Sequence, residues 1–444
     1  MIRVIANSLW FGLCVPESMA FRKATWDAAR TQRQVLRRIT GFNSVEEFQA
    51  RHPLSEEPGE PREPVLRRLP TSGTAGPVKW IPYTASLYRE FQRGIAPWVV
   101  DLFSHNPPMM AGRSYWAISP VGDTGTEFGD DTEYLGGSRR LVSSAMAVPT
   151  SVRHIRNIDD WRRETMRYLA SCRDLTFISI WHPSFLTLLL EGVDEPAKLW
   201  PKLKVISCWG ESPELQEKFP NAKIQPKGLI ATEGFVSLPL WSCEGAALAL
   251  RSHFFEFLDE AGNARLAHEL KSGSEYSVVL TTSGGLKRYC LHDRVRVTGF
   301  ENECPLLKFI GRSNNVSDHF GEKVSEQQVD AALTGMPARF LLVACEGTAY
   351  TMFVESSLSN SELEDWGAKL ESVLCENVHY RYCRELGQLK PVRVIRVFGH
   401  GRNLYLAACH LRGQRLGDIK PALLQRTGGW TQVFGCRSSA EMGE

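Results

Sequence analysis

Residues 69–84 read LPTSGTAGPVKWIPYT, a run too polar and too rich in glycine to build a core or a good helix. Gly73 and Gly76 would let backbone N–H groups approach an anion without a Cβ in the way. Thr71, Ser72 and Thr74 add hydroxyl donors, and Lys79 adds positive charge. This is chemistry for a polyphosphate, although the spacing is not that of a Walker loop, and a surface turn has the same composition. In IQPKGLIATEGFVSLPL (224–240), Thr232 and Glu233 interrupt an otherwise apolar run. A carboxylate buried there must be paired, protonated or metal-bound, and Mg²⁺ bridged to a phosphate is one such partner. The alternative is an exposed turn. In LKRYCLHDRVRVTGF (286–300), Asp293 sits just before an alternating strand. There it could accept ribose hydroxyls or form an ion pair with Arg288 or Arg294. Arg312, in KFIGRSNNVSDHFGEKVSE (308–326), lies beside a polar, glycine-bearing segment that reads as a hinge or an interdomain linker.

The elements that must hold these residues follow from periodicity. Residues 15–40 predict one amphipathic helix with Phe21, Trp26, Ala29, Val35, Leu36 and Ile39 on its apolar side. RHPLSEEPGEPREP (51–64) reads as a loop, and ASLYREFQRGIAPWVVDLF as a helix stopped by HNPP. RSYWAISP, LTFISIW and LKVISCWG then alternate as strands with the helical IDDWRRETMRYLASC and PSFLTLLLEGV, the signature of an α/β core with parallel pairing. Beyond residue 235, FVSLPL, ALALRSHFFEFLD, EYSVVLTTS and RVRVTGF predict an antiparallel sheet or barrel. VSEQQVDAAL reads as a helix, ARFLLVACEGTAYTMFV as a hairpin, and SELEDWGAKLESVL as a helix with Ser361 and Glu364 at capping-box spacing. VRVIRVFGHGRNLYLAA reads as a second hairpin turning at GHGRN. The expected class is α/β: a large N-terminal domain, 1–314, of mixed α/β sheets plus an antiparallel sheet or barrel, with a smaller α+β C-terminal domain, 315–444.

Composition narrows the partners. At 444 residues the chain can bury a large core in more than one domain. With a net charge of +2 and no basic stripe, nothing points to nucleic acid. The 11 cysteines are odd in number and lack C-x-x-C spacing, so they read as reduced thiols of a cytoplasmic protein. No run of 18 apolar residues argues for a membrane span. The start, MIRVIANSLWFGLCV, has a weak signal-peptide look, but Asn7 and Ser8 interrupt it and a helix follows.

Taken in order, TSGTAGPVKWIPYT, GLIATEGFVSLPL, SHFFEFL, YCLHDRVRVTGF and FIGRSNNVSDHFGEK resemble the acyl-acid amido synthetases. These are the auxin-responsive-promoter enzymes of plants and their bacterial relatives, within the adenylate-forming superfamily. ENVHYRYCRELGQL and RGQRLGDIKPALL are similar to the bacterial branch. The resemblance implies that the 71–79 loop holds the β- and γ-phosphates of ATP, Thr232 the α-phosphate, Glu233 a Mg²⁺ ion and Asp293 the ribose. It places Arg312 near ribose or phosphate. A lysine of the small domain would assist adenylation, with Lys420 first and Lys323 second. Two departures stand out: His292 replaces the usual glycine before the aspartate, and the interval before the phosphate loop is short.

The implied reaction makes an acyl adenylate from a carboxylic acid and ATP, releases pyrophosphate, and passes the acyl group to an amine, usually an amino acid. The small domain would turn about residues 312–318 between the half-reactions. By position, Tyr115, Trp181, Ser184, Phe185 and Trp209 are candidates for the acyl pocket, and aromatic rings there suit a flat or apolar acid, although ordinary core packing uses the same residues. A thiol acceptor shares the first half-reaction, and a nucleotide-binding protein without turnover would also fit the two departures. The small-molecule acid and amine are the expected partners, for a monomer or a dimer.

Overall fold

The computed structural model describes residues 2–70, 79–118, 139–180, 183–209, 212–312, 316–317, 319–320, 322–385, 387–414, 419 and 422–434. The chain forms two compact units, Met1–Ile310 and Gly311–Glu444.

The N-terminal unit is organised around the helix Ala85–His105. Thr84 caps it, its hydroxyl accepting from the Leu87 N–H at 3.1 Å, and almost every residue from Gly94 to Phe103 is buried. One side carries a four-stranded parallel sheet in the order Arg113–Trp116, Leu175–Ser179, Val205–Cys208, Lys223–Pro226. The second and third of these strands are buried along their whole length, which is why they read as short, mostly apolar runs instead of alternating ones. The expected antiparallel part is a seven-stranded sheet. Its order is Ala264–Leu266, Phe254–Leu258, Glu275–Thr281, Tyr289–Glu301, Cys304–Arg312, Ala246–Leu248, Ser237–Pro239.

The start of the chain departs from expectation. Two helices, Ile2–Ala24 and Ala28–Thr40, replace the single one, and Trp26 lies in the break, 70% exposed, instead of on the apolar side. Asp27 creates the break by accepting the Arg30 N–H at 2.9 Å as an N-cap. By length and composition, residues 3–24 are apolar enough to cross a membrane, although no uninterrupted apolar run marks them. Trp10, Cys14 and Phe21 of this helix pack into the main core, while Ile5, Leu9 and Leu13 are exposed.

The C-terminal unit is a four-stranded sheet, ordered Lys390–Arg396, Ala349–Glu355, Phe340–Glu346, Leu424–Gln425, with a core of its own. Only one of its two expected hairpins exists. Residues Gly401–Leu411 are a helix, with Tyr405, Leu406 and Cys409 on its buried face, a helical spacing that the GHGRN turn signal obscured. Its first N–H, from Gly401, is accepted by Glu355 at 2.8 Å. The capping box of the Asn360–Glu376 helix is Ser359 with Glu362, two residues earlier than the sequence suggested.

Candidate functional site

Thr232 and Glu233 form the two-residue tip of a short hairpin between Ile230–Ala231 and Gly234–Phe235. Glu233 is 8% exposed, so the carboxylate is buried and the exposed-turn alternative fails. Three contacts fix this tip. The Tyr83 hydroxyl, on the strand Trp80–Tyr83 that follows Lys79, donates to the Thr232 carbonyl at 2.7 Å. The Phe235 ring covers Gly94 of the Ala85–His105 helix so closely that a Cβ there would stand 2.2 Å from it. On the other side, the Phe235 N–H donates to His253 Nε2 at 3.0 Å.

That last bond assigns the histidine tautomer. Because Nε2 accepts, Nδ1 carries the hydrogen and donates to Glu90 Oε2 at 2.9 Å. Glu90 also accepts the Ser283 N–H at 3.3 and 3.2 Å and the Ser283 hydroxyl. His253 and Glu90 are both almost completely buried. The charge of Glu90 is thus offset by hydrogen bonds, and the group ties the hairpin to the turn before Asp293's strand. Sequence reasoning quoted SHFFEFL only for resemblance and did not see this pair. Its signal is a glutamate and a histidine at positions where the helical and strand periods call for apolar residues.

Asp293 lies within the strand Tyr289–Glu301, on the face shared by Tyr289, Leu291, Val295 and Val297, and is 3% exposed. The two flanking arginines are committed elsewhere: Arg288 to Glu256 at 3.0 Å and Arg294 to Glu275 at 2.5 Å. His292 takes the left-handed conformation, φ +62°, which explains why a glycine would be at home there. Its Nε2 lies 3.1 Å from Glu56 in the short 51–64 segment. The same segment reaches Lys79, whose ammonium donates to the Glu56 carbonyl, stands 3.9 Å from Glu57, and lies 5.6 Å from the centre of the Tyr289 ring. Ser55 hydrogen-bonds along the strand start, its N–H to Arg288 O at 3.0 Å and its carbonyl from Cys290 N–H at 2.8 Å. The two departures read from the sequence are therefore in contact: the short segment supplies the partner of His292.

Among the described residues, then, the fold brings the end of the Trp80–Tyr83 strand, at Tyr83, to the 232–233 tip and Lys79, just before its start, to the head of Asp293's strand. Thr71, Ser72, Gly73, Thr74, Gly76, Trp181 and Lys420 lie outside the described residues, as do the side chains of Ser184 and Arg312. Lys323 is exposed, at φ +47°, and its carbonyl accepts from Asn377 at 3.0 Å. Of the acyl-pocket candidates, Tyr115 and Phe185 lie in the core. Trp209 is half-buried just past the C-terminal end of Val205–Cys208, edge-on to Phe309 at 5.1 Å. The C-terminal ends of parallel strands are where such sheets bind ligands. Burial pushes the neighbouring Cys208 thiol up to about 12, so it stays neutral and offers no nucleophile.

Comparison with known proteins fits this arrangement. Residues 246–312 match the GH3 family central domain. The indole-3-acetic acid-amido synthetase GH3.2 of Arabidopsis thaliana is 35% identical over 99 residues, 22% of this chain and 18% of the relative. The chain spans less than half the length of the curated relatives it matches. Among solved structures, the GH3.15 acyl acid amido synthetase superposes with a TM-score of 0.74 at 16% identity, covering 94% of this chain and 95% of that one. The 2-hydroxyisobutyryl-CoA ligase, with 2-HIB-AMP bound, superposes with a TM-score of 0.50 at 17% identity, covering 87% and 86%. The chain therefore carries a segment similar to the GH3 family central domain on the fold of the GH3.15 acyl acid amido synthetase.

Proposed function

We propose that the protein is an ATP-dependent ligase that adenylates a carboxylic acid and passes the acyl group to an amine, an amino acid being the expected class. The observation that carries this reading is the Tyr83–Thr232 hydrogen bond, which couples the strand leaving the phosphate-loop segment to the buried Thr232–Glu233 tip. A carboxylate is a poor acyl donor because oxide is a poor leaving group. In the first step a carboxylate oxygen attacks the α-phosphorus of ATP and the bond to pyrophosphate breaks. In the second, the amine nitrogen attacks the acyl carbon, AMP departs with the bonding pair, and the amine gives up a proton. Such steps need positioning and charge neutralisation more than covalent help.

In this reading Thr232 positions the α-phosphate, Asp293 takes the ribose hydroxyls, and Arg312 lies near ribose or phosphate. The 71–79 loop holds the outer phosphates, and Lys420 of the smaller unit serves adenylation. Lys79 must leave Glu57 and the Glu56 carbonyl to reach a phosphate. Glu233 suits Mg²⁺: it offers hard oxygen ligands, and its burial beside apolar neighbours favours a cation partner. The ion would supply charge neutralisation on the phosphates. Trp209 is the described pocket candidate with surface for the acid. The division into units at Ile310 suits a small domain that turns between half-reactions.

The acceptor is tested by AMP release. With ATP and a competent acid, an added amino acid should accelerate AMP formation and coenzyme A should not. Acceleration by coenzyme A alone would replace the amide reading with a thioester one. The Lys79–Glu57 contact favours a second reading, a nucleotide-binding protein without turnover. It requires ATP binding with no AMP under any acid.

A further inference from the structure

A cleft of about 320 Å³ opens in the N-terminal unit between the helix Ala28–Thr40, the first turns of Ala85–His105, the 60–63 segment and the 281–287 turn. None of the candidate nucleotide or acyl residues lines it. Its volume falls within the roughly 300–1,000 Å³ of small-ligand pockets.

The charges of its wall do not balance. Every acid is occupied: Glu60 takes Arg68 at 3.0 and 2.9 Å, Glu63 accepts from Ser86 N–H and Oγ at 3.1 and 2.5 Å, and Glu90 takes His253 and Ser283. The cations are in surplus. Half-buried Arg93 makes no hydrogen bond or ion pair among the described residues, and neither do exposed Arg62 and Lys287. Burial pushes the Arg93 guanidinium down, against the pull of Glu17 and Glu90. Glu17 itself is held by Arg251 at 2.5 Å. A half-buried guanidinium with five donors and no acceptor forgoes charge-assisted hydrogen bonds that an anion would supply. The partly buried Ile39, Phe42 and Pro61 line the same cleft. The N-terminus of the Ala85–His105 helix is already met by Glu63 through Ser86, so it does not compete for the ligand.

We propose that this cleft binds a small dicarboxylate, one carboxylate on Arg93, the other on Lys287 and Arg62, with an apolar middle against Ile39, Phe42 and Pro61. The planar fork of an arginine matches a carboxylate in a bidentate way, and three cations without acid partners on one wall suit two carboxylates better than one. This inference does not rest on the ligase reading.

The test is titration calorimetry of the full chain with isophthalate, using benzoate and inorganic phosphate as comparators. Isophthalate is expected to bind one equivalent, at least about tenfold tighter than either comparator, since it makes a second charged contact that they lack. Arg93→Gln should weaken isophthalate about tenfold or more, and Arg93→Lys, which keeps charge but loses the fork, by less. Far-ultraviolet circular dichroism checks that both variants are folded. Unchanged isophthalate binding in folded Arg93→Gln, phosphate binding as well as isophthalate, or a wild-type Kd weaker than about 1 mM would each overturn the proposal.

Discussion

His253→Phe isolates the polar work of the buried pair. The His253 ring packs between Phe91 and Phe255, at centroid distances of 6.0 and 5.9 Å, and phenylalanine preserves that packing. What disappears is the acceptor for the Phe235 N–H and one donor to the Glu90 carboxylate. Leaving a buried group without its partner costs about 1–3 kcal/mol, more when the group is charged. The two losses together predict a destabilisation of about 2–5 kcal/mol. With a urea dependence of about 3 kcal/mol/M, the unfolding midpoint should fall by about 0.7–1.7 M. Ten of the 12 tryptophans precede residue 311, so fluorescence reports chiefly on the N-terminal unit. Adding Glu90→Gln to this variant should cost less than Glu90→Gln alone, because the two share one bond. A midpoint shift below about 0.2 M, or strict additivity of the two changes, would refute the claim that this network holds the hairpin.

Other perturbations test the neighbouring assignments. Glu233→Gln removes charge but not volume and should reduce Mg·ATP-dependent turnover about a hundredfold or more with an unchanged melting temperature; wild-type rates would remove Glu233 from the site. Asp293→Ala should raise the KM for ATP about ten- to a hundredfold, the worth of a charge-assisted hydrogen bond, and leave that for the acid nearly unchanged. Glu57→Gln frees Lys79 from an exposed pair worth about 0–1 kcal/mol, so the KM for ATP should fall, by no more than about fivefold; a rise would contradict the picture of a competing contact. In the C-terminal unit, burial pushes Glu371 up, but Arg384 at 2.6 Å, the Val392 N–H and the Tyr380 hydroxyl together hold it below its usual 4.5. A depressed carboxylate contributes stability above its unfolded value and loses it as the pH falls through the folded one. That unit should therefore lose stability below about pH 4.5, and Glu371→Gln should flatten the acid limb.

The strands and the central helix were legible in the sequence because period and burial agree: LTFIS and VISC are mostly apolar and buried throughout, and the Tyr289–Glu301 strand alternates. The reading failed where two local signals competed. Gly-His-Gly pointed to a turn, yet the buried spacing of Tyr405, Leu406 and Cys409 made a helix. The apolar period over 15–40 pointed to one helix, yet Asp27 within it caps a new helix. At the site, single residues were readable because their types carry chemistry, whereas their partners were not. Nothing local in the sequence pairs Glu90 with His253, 163 positions away, or Glu56 with His292. Those contacts exist only once the sheet places its turn against the helix.

Acid-dependent ATP–pyrophosphate exchange tests the central claim most directly. A panel of aryl, indolyl and fatty acids should include at least one that drives label from pyrophosphate into ATP, with the exchange lost in Glu233→Gln. Silence across the panel by a protein that still binds ATP would contradict adenylation and leave nucleotide binding without turnover.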